Sequence, residues 1–105
     1  MIRIEMLKTE DRLCGFRCSG HAGYAEEGED IVCAAVSALT ISCVNSLEKL
    51  SKDDADVKER DGFVSCRLKQ PASPGGELLL RSLQLGVENI AEEYPQYVKV
   101  TVKSL

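Results

Sequence analysis

The sequence has no tryptophan, only two phenylalanines and three tyrosines, and a single histidine. A core without bulky aromatics must be built from aliphatic side chains. Basic residues are in deficit, 13 Lys and Arg against 17 Asp and Glu, for a net charge of −4. That balance argues against a phosphate-backbone binder, which needs a basic face, and against an anionic membrane surface. No apolar run reaches the ~18 residues that would suggest a membrane span. The N-terminus alternates apolar and polar residues from Met1 to Leu7 and lacks the apolar centre of a signal peptide. The expected compartment is therefore the cytoplasm. There is no Cys-x-x-Cys pair, and the five cysteines are an odd number. Reduced thiols are expected, without a disulfide framework.

What is present patterns clearly. With 105 residues the chain is expected to form one domain, 1–105, large enough to fold on its own core. Ile2, Ile4 and Met6 alternate with polar neighbours and read as a strand. After the polar turn at 8–11, Cys14, Phe16 and Cys18 share one face of a second strand, giving a hairpin. A helix is expected from Ile31 to about Leu50, with a core stripe of Val32, Val36, Leu39, Cys43, Leu47 and Leu50. Two short strands follow, a weak one over Asp56–Glu59 and another over Phe63–Lys69. The hairpin signal Asp61-Gly62 lies between them. Pro71 and Pro74-Gly75-Gly76 break the chain. A second helix is expected from about Glu77 to Glu93, with Leu79, Leu80, Leu83, Val87 and Ile90 inward, stopped by Pro95. Tyr97–Lys103 reads as the last strand, with Val98, Val100 and Val102 inward. The order β-β-α-β-β-α-β implies an α+β two-layer sandwich: a mostly antiparallel sheet with two helices on one face.

The chemistry concentrates between Gly20 and Ser37. His21, the one imidazole, opens a ten-residue loop with three glycines and three glutamates. Loops of that length in small domains are usually functional or mobile. Gly20, Gly23 and Gly28 are candidate turn or hinge positions. Asp30 is a good N-cap. Cys33 is then the third helical residue, beside the free N–H groups of a helix start, an environment that favours the nucleophilic thiolate. It lies off the core stripe on a more polar line with Ser37 and Thr40. Imidazole can take a thiol proton and return it to a leaving amine. Cys33 and His21 are thus the candidate catalytic pair. Asp30 and Ser37 are candidate supporting groups, and the helix-start N–H groups, that of Cys33 included, are candidate oxyanion donors. Cys14, Cys18, Cys43 and Cys66 fall on expected core faces and read as small buried hydrophobes. A zinc site from Cys14, Cys18, His21 and Cys33 is disfavoured, because structural zinc normally uses tight knuckles. No metal and no cofactor are expected.

Gly20-His21-Ala22 followed by Asp30-Ile31-Val32-Cys33-Ala34-Ala35-Val36-Ser37 resembles the signature of the ribosomal-processing cysteine protease family, Prp, and the order of elements is similar over the whole chain. The resemblance implies a bacterial cytoplasmic endopeptidase with Cys33 as nucleophile and His21 as general base. Its implied substrate is the precursor of ribosomal protein number twenty-seven of the large subunit, from which an N-terminal extension is removed. A homodimer is implied alongside; no direct nucleic-acid contact and no membrane partner are expected from the acidic charge balance. The alternative is a noncatalytic ribosome-assembly binding module whose acidic loop receives basic protein segments.

Overall fold

The structure is a computed structural model that describes residues 1–26 and 30–105. Seven elements follow in the expected order: β1 (Ile2–Thr9), β2 (Arg12–Ser19), α1 (Ile31–Leu50), β3 (Ala55–Arg60), β4 (Phe63–Leu68), α2 (Pro74–Glu93) and β5 (Val98–Ser104). They build an α+β fold on one five-stranded sheet of order β3-β4-β2-β1-β5. Three pairings are antiparallel. β1 and β5 run parallel, Ile2 opposite Val98 and Met6 opposite Val102. The apolar alternation of β1 explains its central place. Ile2, Ile4 and Met6 are buried, and across β2 they meet Phe16 and Cys18 in register.

Several expectations shift in detail. The pairing of β1 with β2 slips between Leu7 and Lys8, so Leu7 pairs with Gly15 and Lys8 with Leu13, leaving Cys14 unpaired between them. An extra residue of this kind is a β-bulge. Leu13 consequently joins the main core, while Cys14, though buried, stays outside it with its sulfur 3.4 Å from the Thr9 hydroxyl. The buried line of α1 is Val32, Val36, Thr40, Cys43, Val44 and Leu47. Leu39 is half-buried against Gly86 of α2, and Leu50 lies at the exposed helix end. Buried Thr40 is accommodated because its hydroxyl donates to the Val36 carbonyl at 3.1 Å. α2 begins three residues earlier than expected. Ser73 caps it by accepting from Gly76 N–H at 3.0 Å, and Pro74 takes the first helical position, where it lacks no needed donor. Val102 is exposed, in contrast to Val98 and Val100.

The uncharged run from Ile31 to Leu47 also corrects the expectation on membrane length. α1 has a mean hydropathy of 1.6 over an 18-residue window and is long enough to cross a bilayer. Its capped start and its stripe packed into the core make it a core helix in this fold.

Candidate active site

β2 ends at Ser19, and Gly20 turns the chain out of the sheet. Its φ of +94 suits glycine, and a Cβ there would strike the Met1 carbonyl. Gly20 N–H donates to the Gly62 carbonyl at 2.9 Å, which ties this exit to the β3–β4 turn. His21 follows, its side chain exposed, and buried Ala22 pins the next step of the backbone. Tyr24 then packs edge-on against Tyr94 and Tyr97, with ring centroids 5.7 and 5.2 Å away. Such pairs contribute roughly 0.5–1.5 kcal/mol each beyond area burial. This part of the loop is therefore anchored by aromatic contacts. Gly28, a candidate hinge, lies outside the described residues, as do Glu27 and Glu29.

Asp30 closes the loop and starts α1. Its Oδ1 accepts from Cys33 N–H at 2.9 Å, and its Oδ2 accepts from Tyr24 N–H at 3.1 Å. The Cys33 N–H bond holds the Asp30 carboxyl below the usual range against the opposing effect of burial, with lesser help from the Tyr24, Ala25 and Val32 N–H groups. One carboxylate thus caps the helix and clasps the loop. The geometry also corrects the oxyanion expectation, because the Cys33 N–H is already committed to Asp30.

His21 and Cys33, 12 positions apart in sequence, meet on the walls of two adjoining cavities. One, of about 220 Å³, is lined by His21, Cys33, Ser37, Gly20, Cys18 and Thr40 among others. The other, of about 430 Å³, adds Gly23, Asp30 and Ala34 to His21, Cys33 and Ser37. Cys33 is half-buried. Among the described residues no three or more His, Cys, Asp or Glu side chains gather as a metal would require.

Two residues on these walls escaped the sequence reading. Asp61 borders both cavities, and Gly62 lies directly against the imidazole. A Cβ on Gly62 would sit 2.9 Å from His21 Nε2, and its φ of +70 already favours glycine. The Asp61-Gly62 turn was legible as a hairpin. Its meeting with His21 depends on β4 pairing with β2, Ser19 opposite Phe63. Gly62→Ala is expected to push the imidazole aside and lower kcat by roughly 10²-fold, the usual cost of an ångström-scale misplacement. KM should move far less. An unchanged kcat in steady-state kinetics would show that Gly62 does not position His21.

The sequence profile described as "Cysteine protease Prp" matches residues 1–99. The chain belongs to the cysteine protease Prp family. A Bacillus subtilis relative, "Ribosomal processing cysteine protease Prp", is 28% identical, with 96% of each chain covered. The Staphylococcus aureus Prp crystal structure with a covalently linked product peptide superposes with a TM-score of 0.93 at 26% identity, covering 98% of this chain and all of that one. The S. aureus Prp structure with a substrate peptide gives 0.87 at 25% identity, with the same coverage. The chain is accordingly a cysteine protease, a peptide-bond hydrolase, and the noncatalytic alternative is set aside.

The other four cysteines of this chain are buried, and only Cys33 is half-buried. Burial, with the neighbouring Cys33 adding a smaller push, raises the Cys18 thiol to about 11. Burial chiefly raises Cys43 to about 12 and Cys66 to about 11. All three stay protonated at neutral pH and are poor nucleophiles. Brief iodoacetamide treatment at pH 7.5 should therefore label Cys33 at least about tenfold faster than the rest, as read by peptide mapping. Comparable labelling of several cysteines would contradict this assignment.

Proposed function

We propose that this protein is an endopeptidase working through a Cys33–His21 dyad, and that its substrate is the precursor of ribosomal protein number twenty-seven of the large subunit. The observation that carries the site is the shared wall: His21 and Cys33 border the same two cavities, from different elements, with Ser37 beside them. In the proposed sequence His21 takes the Cys33 thiol proton, and Sγ attacks the scissile carbonyl carbon. The C–S bond forms as the carbonyl π pair moves to oxygen. Collapse expels the amine, which receives the proton from His21, and leaves a thioester on Cys33. Water, deprotonated by His21, then attacks the thioester, releases the acid and returns the proton to sulfur. Asp30 is the positioning residue for this first helical turn, and Ser37 presents an exposed hydroxyl to the substrate. Gly20, Gly23 and Gly28 are proposed to shape the loop that carries His21. The reaction requires no metal or cofactor.

The ribosomal substrate rests on the names of the relatives, "Ribosomal processing cysteine protease Prp", and on the peptides bound in two of the solved structures. Action in the cytoplasm follows from that substrate. A homodimer is part of the same reading, and α1 supplies a face for it. Ile31, Ala34, Ala35, Ala38 and Ile41 are exposed at helical spacing with no charge among them. The deciding experiment incubates the purified protein with the extended ribosomal protein and reads the products by mass spectrometry. Release of the intact N-terminal extension is expected. An unprocessed precursor alongside turnover of a generic peptide would retain the protease and overturn the substrate.

A further inference from the structure

The acidic total of this chain hides a segregated charge distribution. The helices and their core line one face of the sheet; the strand registers define the other. Its first row runs Arg60, Phe63, Ser19, Arg3 and Lys99. The second runs Lys58, Ser65, Arg17, Glu5 and Thr101. The third runs Asp56, Arg67, Gly15, Leu7 and Lys103. Seven cations thus face two carboxylates on a chain whose net charge is −4. Glu5 is half-buried and taken up by Arg17 at 3.3 Å. All seven basic side chains are exposed. Between them lies a depression of about 330 Å³, lined by Arg3, Arg17, Lys99, Ser19, Thr101 and Phe63 together with the Arg17-paired Glu5.

We propose that this open sheet face binds single-stranded RNA through its phosphate backbone. Charge complementarity selects a polyanion: at a strand spacing of about 4.8 Å, five strands spread the cations over roughly 20 Å, enough for several consecutive phosphates. A second copy of this chain is a poor occupant, because a two-fold interface would set the basic face against itself. A membrane is a poor occupant too, since the one aliphatic side chain of these rows, Leu7, is buried and cannot insert. A flat sheet cannot enter the deep, narrow major groove of an RNA duplex, whereas a single strand can lie across it. Phe63, with the Arg60 guanidinium 4.3 Å from its ring centroid, adds a planar surface at the edge against which a base can stack. The choice of RNA over DNA rests on the ribosomal reading given above. The expectation of no nucleic-acid contact came from total charge, which is blind to how a sheet sorts its two faces.

The test uses a 5′-labelled 20-nucleotide single-stranded RNA, with fluorescence anisotropy read between 50 and 200 mM salt. Binding in the micromolar range is expected at the low-salt end. The log–log salt slope should be about −3, at roughly −0.7 per phosphate for single strands. Replacing Arg3→Gln, Arg67→Gln and Lys99→Gln together should weaken binding by at least about tenfold and flatten the slope. All three lie outside the catalytic walls, so turnover of a short peptide and the melting temperature should stay unchanged. RNA affinity equal in wild type and triple variant would overturn the proposal, as would no binding at 50 mM salt. Tighter binding to anionic vesicles or duplex DNA would replace RNA with that partner. Loss of self-association in the triple variant, read by sedimentation, would make the face a contact between copies. Peptide turnover is measured without RNA, so a failed RNA arm leaves the protease reading untouched, and a failed ribosomal substrate is seen separately.

Discussion

Cys33→Ala is expected to lower peptide turnover by at least about 10⁴-fold, the scale on which losing a covalent nucleophile falls. Folding should survive the change. Alanine suits a helix interior, the Asp30 cap acts on the backbone N–H and not on the sulfur, and the side chain is only half-buried. Circular dichroism and melting should therefore match the wild type. Cys33→Ser should be nearly as inactive, because a hydroxyl is far harder to deprotonate than a thiol. The assay is steady-state cleavage of a fluorogenic peptide, with mass spectrometry to look for a thioester on the wild type. Near-normal turnover in Cys33→Ala would remove Cys33 from the chemistry. The acyl adduct on any other cysteine would do the same.

His21→Ala should cost about 10²–10⁴-fold in kcat, the range for removing a general acid–base group. The two losses should not add. With the nucleophile gone there is no thiol proton to move, so the double variant should be about as slow as Cys33→Ala alone. Substrate binding, measured on the Cys33→Ala background, should change by less than about tenfold. A His21→Ala enzyme with normal kcat and raised KM would make the imidazole a contact group.

Much of this was legible in the sequence, and the reasons are specific. Period-two alternation in Ile2, Ile4 and Met6 and the 3.6-residue stripe through Val32, Val36 and Cys43 carry their own burial signal, and those elements stand where the pattern put them. The Asp30 cap was readable because a cap is a local bond between neighbours. Features that depend on distant pairing were not readable. Gly62 touches His21 only because β4 lies beside β2, and Tyr24 meets Tyr94 and Tyr97 only because β5 lies beside β1. The start of α2 was hidden for another reason. Pro74-Gly75-Gly76 reads as a breaker until Ser73 is seen accepting from Gly76 N–H. Ser73 is itself held by Asp53, twenty residues away, to which its backbone N–H donates at 2.7 Å.

The parallel pairing of β1 with β5 has a consequence for the timing of the enzyme's birth. The second residue of the chain bonds the carbonyl of Tyr97, and β1 cannot be flanked on both sides until Val98–Ser104 has been synthesised. Such distant contacts are the slow ones to form, since most of the chain must be looped first. The same segment brings Tyr97 to Tyr24, on the loop between His21 and Asp30. A nascent chain still lacking β5 therefore has an incomplete sheet and an unseated catalytic loop. Peptide cleavage is therefore expected only once Val98–Ser104 has paired with β1. Chains stalled at Glu93 on the ribosome should be inert toward peptide, whereas those extended far enough for Leu105 to clear the exit tunnel should be active. Activity in the shorter chains would show that β5 is dispensable for seating the loop.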